Sequence, residues 1–445
     1  MSLADEYRAK RVTPEEAVRV VRSGDWVEYG QFAVQAVALD KALAKRKDEL
    51  EDVKIRATTR AAGIPDVVKA DPDGKHFTYH NLHFSSSDRK LHDQGMCWFV
   101  PILYHEVPRY YRENCDLDVA MLPVAPMDER GYFNFSLSNS FNRAVCDKAK
   151  TIVLEANPNL PVCLGGKDES IHLSEVDLIV EADWKVPELL AIAPSRADEQ
   201  IAARILAELE DGSCLQLGIG GLPNAIGAMI AESDLKDLGI HTEMFCDSIV
   251  ALVARGRVTG ARKTLDRHKI VYTFCLGTRT AYEFVHRNPT CASYSVDYTN
   301  DPFVIAQNDK AVAINNCVEI DLFGQVCSES AGTRQISGTG GQVDFTYGAY
   351  RSKGGKAFLC LSSTFDRKGT LVSRIKPVLS EGAIVTAPRS MVSYLVTEYG
   401  IANLKGMATW QRAEAIISLA HPDFRDDLVQ QAEKLGIWRR SNRTA

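Results

Sequence analysis

The sequence lacks any paired-cysteine pattern. Its 11 cysteines, at positions 97, 115, 146, 163, 214, 246, 275, 291, 317, 327 and 360, are odd in number and contain no C-x-x-C. That argues against a disulfide framework and for reduced thiols in a cytoplasm. It lacks long hydrophobic runs: nothing approaches ~18 apolar residues, so no membrane span is expected. The N-terminus, Met1 to Arg8, has no apolar leader core. It lacks an excess of base, since 52 Lys and Arg against 58 Asp and Glu leave a net charge of -6, and a nucleic-acid surface is not implied. It lacks a P-loop and a metal cluster. His76, His80 and His83 are loosely spaced, but no cysteine or acidic group completes a ligand set.

What remains is an ordinary globular composition, 45% hydrophobic and 25% charged, on 445 residues, too long for a single core. Residues 5–23 read as helical, with Thr13-Pro14-Glu15-Glu16 as a capped start. Strands are expected at 24–30, 53–59, 118–124, 151–155 and 178–180, and an amphipathic helix at 34–45. The segment 60–100 is less regular. The pattern breaks between Pro187 and Pro194, and a helix from Asp198 to Leu209 follows. Two amphipathic helices over 410–436, broken at His421-Pro422, read as a structural cap. Strands alternating with helices predict a mainly parallel sheet covered on both faces.

The pattern then repeats. Gly24–Gly30 lines up with Gly212–Gly218 at an offset of 188, and Met127–Gly131 with Ile320–Gly324 at an offset of 193. A duplicated α/β domain is expected, with residues 1–188 and 195–445 as the two halves and a site in the crevice between them near the carboxyl ends of the strands.

The chemistry concentrates in the second half. Leu215 to Asn224 reads as a strand, a glycine turn and a helix start, with Pro223 at the first helical position. Glu243 then sits in the apolar run Gly239-Ile240-His241-Thr242-Glu243-Met244-Phe245, which reads as a buried strand. Three readings of that carboxylate stand side by side. It is a paired structural acid; or it holds a ribose hydroxyl in a dinucleotide fold, although the loop reads G-x-G-x-x-P and lacks the third glycine; or it is a nucleophile near amide donors, suited to attack an activated acyl group. Ser337-Gly338-Thr339-Gly340-Gly341 is a turn with bare backbone. Ser352 to Lys356 reads either as a solvated hairpin turn or as a turn that places a lysine near an anion.

Taken together, Gly218–Ile226, Leu238–Phe245, Asn315–Val326, Ser337–Phe345 and Val396–Ala402 resemble motifs of the acetyl-CoA hydrolase/transferase family of class I CoA-transferases, with the closest likeness to the butyryl-CoA and 4-hydroxybutyrate CoA-transferase branch. The likeness covers nearly the whole chain, while residues 80–115 are less typical and are where substrate choice is expected to lie. The resemblance implies two similar α/β domains with mainly parallel sheets and the active site between them. It implies CoA exchange between a short-chain acyl-CoA and a small carboxylate, with Glu243 forming a glutamyl-CoA thioester. An acyl-CoA hydrolase using the same glutamate and a non-catalytic CoA-binding protein are the alternatives. It further implies that Gly218, Gly220, Gly221, Leu222, Pro223, Asn224, Val318, Gly338, Gly340 and Gly341 contact CoA. Gly341 and Asn315 would border the reacting carbonyl, and Gly30 and Gln31, the first-half counterparts of the glycine loop, would line the acyl pocket. CoA enters as substrate, with no resident cofactor or metal expected, and the assembly implied is a cytoplasmic homodimer or higher homo-oligomer.

Overall fold

The computed structural model describes residues 2–439. Met1 and residues 440–445, the outer ends of the two expected domains, lie outside the described residues. The chain forms two compact units. The first comprises Met1–Leu190, Thr242–Asp247 and Lys269–Asp301; the second comprises Ala191–His241, Ser248–His268 and Pro302–Ala445. The compact units therefore depart from the expected linear division: Glu243 belongs to the first unit, although it follows the start of the second half in sequence. The reason is local packing, because Met244–Phe245 pairs with Phe274–Cys275, and the Ser138 backbone bridges Phe274.

In the first unit the earliest strand, Trp26–Gln31, lies at the middle of the sheet. Val53–Thr58, Phe77–Asn81 and Trp98–Phe99 follow on one side, and Val119–Val124, Thr151–Ala156 and Leu178–Glu181 on the other. All these neighbours are parallel. Parallel strands covered on both faces demand continuous apolar runs, and Val119–Val124 is buried at every position. Pro123 is tolerated there because the ladder to Trp26–Gln31 ends at Ala120. The second unit repeats the order. Cys214–Gln216 is flanked by Gly239–His241 on one side and by Ala311–Asn316, Lys356–Cys360 and Tyr394–Thr397 on the other, all parallel. In each sheet the first strand in the chain is flanked by the second strand and by the fifth, counting Ile270–Tyr272 and Cys291–Ser293 as third and fourth.

The second landmark of the repeat is matched atom for atom. Asp128 Oδ1 accepts from the backbone N–H groups of Arg130 and Tyr132 at 2.9 and 2.8 Å. Asp321 Oδ1 accepts from Phe323 and Gln325 at 3.1 and 2.9 Å. Each turn closes through a left-handed glycine, Gly131 at φ +88° and Gly324 at φ +86°.

Several local expectations change. Residues 5–23 form two helices, Leu3–Lys10 and Pro14–Ala17, because the residue before a proline is held extended; Thr13 sits at ψ 158° with the expected capping box to Glu16. The helix expected at 34–45 shortens to Ala38–Ala44, since Val34–Gln35 turns back as a strand on Gly30 and Gln31. Residues 60–100 carry two strands and the helices Asp66–Ala70 and Ser86–Asp93. Ser352–Lys356 is a helix-to-strand turn in place of a hairpin, and Lys356 Nζ is bound to Glu208 Oε2 at 2.8 Å. The 410–436 cap is the pair Thr409–Ser418 and Pro422–Lys434, packed on the core of the second unit. Among the described residues no helix is long and apolar enough to cross a membrane.

Candidate active site

Glu243 lies at a bend between two short strands, Gly239–His241 and Met244–Phe245, and is half-buried. The expected continuous strand is broken because the Glu243 carbonyl turns to accept from the N–H groups of Thr273 and Phe274, at 3.0 and 3.3 Å. The side chain meets an amide: Asn300 Nδ2 donates to Glu243 Oε2 at 2.7 Å. Asn300 is fully buried and caps the short helix Val296–Thr299.

Aromatic side chains of the first unit stand beside it. Phe32 stacks on Phe274 with ring centroids 3.5 Å apart and planes 10° from parallel. Tyr104 meets Phe32 edge to face at 6.5 Å, and its hydroxyl shares a 2.5 Å hydrogen bond with Ser140 Oγ. Burial, and then the negative charge of Glu243, push the Tyr104 hydroxyl far above its ordinary pKa, so it stays a neutral donor. Tyr104 falls within the 80–115 segment singled out for substrate choice.

Gly30 and Gln31 set this wall in place. Gly30 has φ +85°, and a Cβ on it would sit 2.6 Å from the Val34 carbonyl oxygen, so only glycine fits the return of the hairpin. Gln31 is wholly buried, with its amide engaged at both ends: Nε2 donates to Asn142 Oδ1, and Oε1 accepts from Ser138 Oγ, both at 2.9 Å. The side chain that the hairpin presents toward the Glu243 neighbourhood is Phe32.

The predicted CoA-side residues gather at the carboxyl ends of the strands of the second unit. The helix begins at Gly221, two residues earlier than expected, which puts Pro223 at its third position; its missing N–H still falls in the unbonded first turn. Gly218 and Gly220 face open space, and Gly220, at φ +116° and ψ −177°, holds a conformation that is glycine's alone. Leu222 and Pro223 are buried, so only their backbone is left for a ligand, and Asn224 Nδ2 donates to the Ile192 carbonyl at 2.9 Å. Gly338, Gly340 and Gly341 lead into the 10-residue helix Gln342–Arg351, with Gly341 at its N-cap and Gly340 left-handed at φ +51°. Gln342 Nε2 ties this helix start to the Asn316 carbonyl at 2.7 Å. Asn315 Nδ2 donates to Gln216 Oε1 at 3.1 Å, and Val318 pairs through its N–H with the Cys327 carbonyl at 2.8 Å. The asparagine amide on Glu243 is thus Asn300, while Asn315 belongs to the second unit and to Gln216.

Asn300, Tyr104, Phe32 and Phe274 escaped the sequence reading. None stands in a spacing pattern with Glu243; only the tertiary pairing brings them to it. The three spaced histidines separate instead of converging: His76 Nδ1 is bound to the Leu50 carbonyl, His83 Nδ1 to Thr59 Oγ1, and His80 lies tilted against Trp26 with ring centroids 5.0 Å apart.

The acetyl-CoA hydrolase/transferase N-terminal domain pattern matches residues 1–191, and the C-terminal domain pattern matches residues 277–432. The chain is 50% identical over 443 residues to a probable butyrate:acetyl-CoA coenzyme A-transferase of Syntrophomonas wolfei, covering 99% of each chain. It is 50% identical over 449 residues to the butyryl-CoA:acetate CoA-transferase of Anaerostipes caccae, covering both chains fully. The crystal structure of RipA from Yersinia pestis superposes with a TM-score of 0.89 at 37% identity, over 98% of this chain and all of that one. The chain belongs to the acetyl-CoA hydrolase/transferase family.

Proposed function

We infer that the protein is an acyl-CoA:carboxylate CoA-transferase, acting on a short-chain acyl-CoA and a small carboxylic acid, with Glu243 as its nucleophile. The observation that carries the reading is the Glu243 carboxylate, half-buried, held on one oxygen by Asn300 and flanked by Phe32, Phe274 and Tyr104. In this reading a carboxylate oxygen of Glu243 attacks the thioester carbonyl and expels CoA thiolate, leaving an acyl-glutamyl anhydride. The thiolate then attacks the glutamyl carbonyl, which releases the first carboxylate and forms glutamyl-CoA. An incoming acid reverses both steps and leaves as the new acyl-CoA. Thioester energy is retained throughout, so the exchange requires no resident cofactor or metal.

Each tetrahedral intermediate carries negative charge on the former carbonyl oxygen, where a preorganised donor is worth roughly 3–4 kcal/mol. Asn300 is the donor already at the nucleophile. The Gly218–Asn224 loop, Val318 and the Gly338–Gly341 helix start are proposed to bind CoA, with Asn315 and Gly341 as further donors on that side. Bare glycine backbone at a helix start suits anionic oxygen, as at a phosphate. Gly30 and Gln31 are proposed to shape the acyl pocket by presenting Phe32. The aromatic wall favours an alkyl acyl chain, and butyryl-CoA with acetate, the pair in the Anaerostipes relative's name, is the first pair to try. The buried free thiols suit a reducing compartment.

The test is intact and peptide mass spectrometry after incubation with butyryl-CoA and no acceptor, with acid quench. A CoA-sized adduct on the Glu243 peptide is expected, together with its absence in Glu243→Gln and a loss of exchange by a factor on the order of 1,000 or more. A Glu243→Gln protein that exchanges CoA normally overturns the assignment. Free CoA accumulating in wild type without adduct would make the protein a hydrolase instead.

A further inference from the structure

The mechanism leaves several buried acids of the first unit unused, Glu28 among them. Glu28 lies on the central strand Trp26–Gln31, two residues before the Gly30 turn, and is fully buried. Its Oε1 accepts from the Gly30 N–H at 3.0 Å, and its Oε2 takes a short hydrogen bond from the Tyr111 hydroxyl. Arg56 is its register partner on the neighbouring strand. That guanidinium is 3% exposed, has no hydrogen-bond partner at Nε or Nη1, and lies 4.4 Å over Trp26 and 5.4 Å over Tyr111. A buried acid facing a buried, aromatic-capped cation is costly to maintain.

The two contacts of Glu28 lead by separate routes to the same place. Through Gly30 it fixes the hairpin that presents Phe32, which stacks on Phe274, whose N–H is bound to the Glu243 carbonyl. Through Tyr111 it fixes a ring stack: Tyr111 lies on Phe141 at 5.1 Å and 21°, and Phe141 meets Tyr104 edge to face at 6.4 Å. Asn142, next to Phe141, is tied to Gln31. Phe32 and Tyr104, the two ends of these routes, are the aromatic walls beside the nucleophile.

We propose that Glu28 is a positioning residue for acyl-chain selection: one buried carboxylate braces Phe32 through Gly30 and Tyr104 through Tyr111, and so sets the width of the space beside Glu243. The inference rests on the CoA-transferase reading. It concerns which acyl group is accepted, and leaves covalent capture itself to Glu243. Gln at position 28 preserves both contacts, since its oxygen accepts from Gly30 and its NH2 donates to the Tyr111 oxygen. Alanine removes both, and Tyr111→Phe removes only the second.

The test is kcat/KM with acetyl-CoA and with butyryl-CoA, acceptor saturating, for wild type, Glu28→Ala, Tyr111→Phe and Glu28→Gln. The expected result is a change in the butyryl/acetyl ratio of about fivefold or more in Glu28→Ala and in Tyr111→Phe, with Glu28→Gln returning it to within about twofold of wild type. A purely structural role lowers both donors equally and leaves the ratio unmoved, which would overturn the inference. If Glu28→Ala does not fold, Tyr111→Phe decides the question alone. Wild type inactive with every acyl-CoA overturns the transferase reading itself, whereas active wild type with unchanged ratios in the variants overturns only the role of Glu28.

Discussion

Residues 28–35 and 216–223 occupy the same place in the two halves, and they have diverged in opposite directions. Both segments leave the carboxyl end of the first strand of a parallel sheet. In the first half the buried acid Glu28 takes the N–H of Gly30, and the chain folds straight back as Val34–Gln35. In the second half Gln216, at an offset of 188, accepts from the Ile314 N–H and from Asn315. The chain there runs on through Gly218 and Gly220, where an added Cβ would meet no atom within 4 Å, and enters a 12-residue helix. One copy has closed its turn to hold a side chain, Phe32, and the other has kept its turn bare. The same strand-to-turn position can therefore end in a closed hairpin in one copy and in an open helix start in the other.

The largest expected effect strikes the two glycines. Gly30→Ala combines a left-handed φ with a 2.6 Å approach to a backbone oxygen that cannot move without opening the hairpin. A stability loss on the order of 4 kcal/mol is expected in denaturant unfolding. Gly218→Ala meets no atom within 4 Å and has no left-handed φ to strain. Its melting temperature should stay within a degree or two of wild type, on the order of 0.5 kcal/mol, while KM for the acyl-CoA rises. Equal stability losses at the two glycines would erase the contrast between a closed and an open turn.

The next effect separates Glu28 from Gln216 by pH. Burial raises the Glu28 carboxyl from 4.5 to about 7, against lowering by the Tyr111 hydroxyl, Arg56, the Gly30 N–H and Gln31. Tyr110 and Cys115, from the helix Val107–Asn114 and its end, also face it. The folded state thus holds the proton more tightly than the unfolded chain. The associated stability is fully present below pH 4.5 and is lost as pH rises through about 7, an amount on the order of 3 kcal/mol. Unfolding measured across that window should show Glu28→Gln gaining on wild type by this amount as pH rises. Parallel curves would mean that Glu28 is already ionised throughout.

The framework of the fold was legible because buried parallel strands announce themselves: Val119–Val124 and Thr151–Ala156 fall where apolar runs placed them, and Val53–Thr58 where alternation of apolar and polar residues did. The repeat was legible from Gly30 against Gly218 and from Asp128 against Asp321, because tight turns constrain residue type. The 34–45 helix was overread, since Val34 and Gln35 obey helical periodicity as well as they obey the hairpin that Gly30 imposes. Glu243 stood out as a lone carboxylate in an apolar run, but its bend did not, being set by N–H groups 30 residues away. Phe32, Tyr104 and Asn300 were invisible as partners, because nothing in local spacing ties residue 32, 104 or 300 to residue 243.

The two asparagines offer the finest cut. Asn300 donates to Glu243 at 2.7 Å, and Asn315 donates to Gln216 at 3.1 Å. If the amide on the nucleophile supports the charge that passes through Glu243, Asn300→Ala should lower kcat for butyryl-CoA to acetate exchange about a hundredfold, near 2.7 kcal/mol, the low end for a single lost donor. The fold should survive, since the substitution leaves neighbouring strands paired. Asn315→Ala leaves Gln216 Oε1 its second donor, the Ile314 N–H at 3.0 Å, so less than about 1.5 kcal/mol, roughly tenfold, should be lost. A variant order in which Asn315→Ala costs more than Asn300→Ala would move the carbonyl-binding amide from the first unit to the second. The adduct assay separates the causes further: Asn300→Ala should slow formation of the glutamyl-CoA thioester about a hundredfold, while Asn315→Ala should slow it by no more than about tenfold.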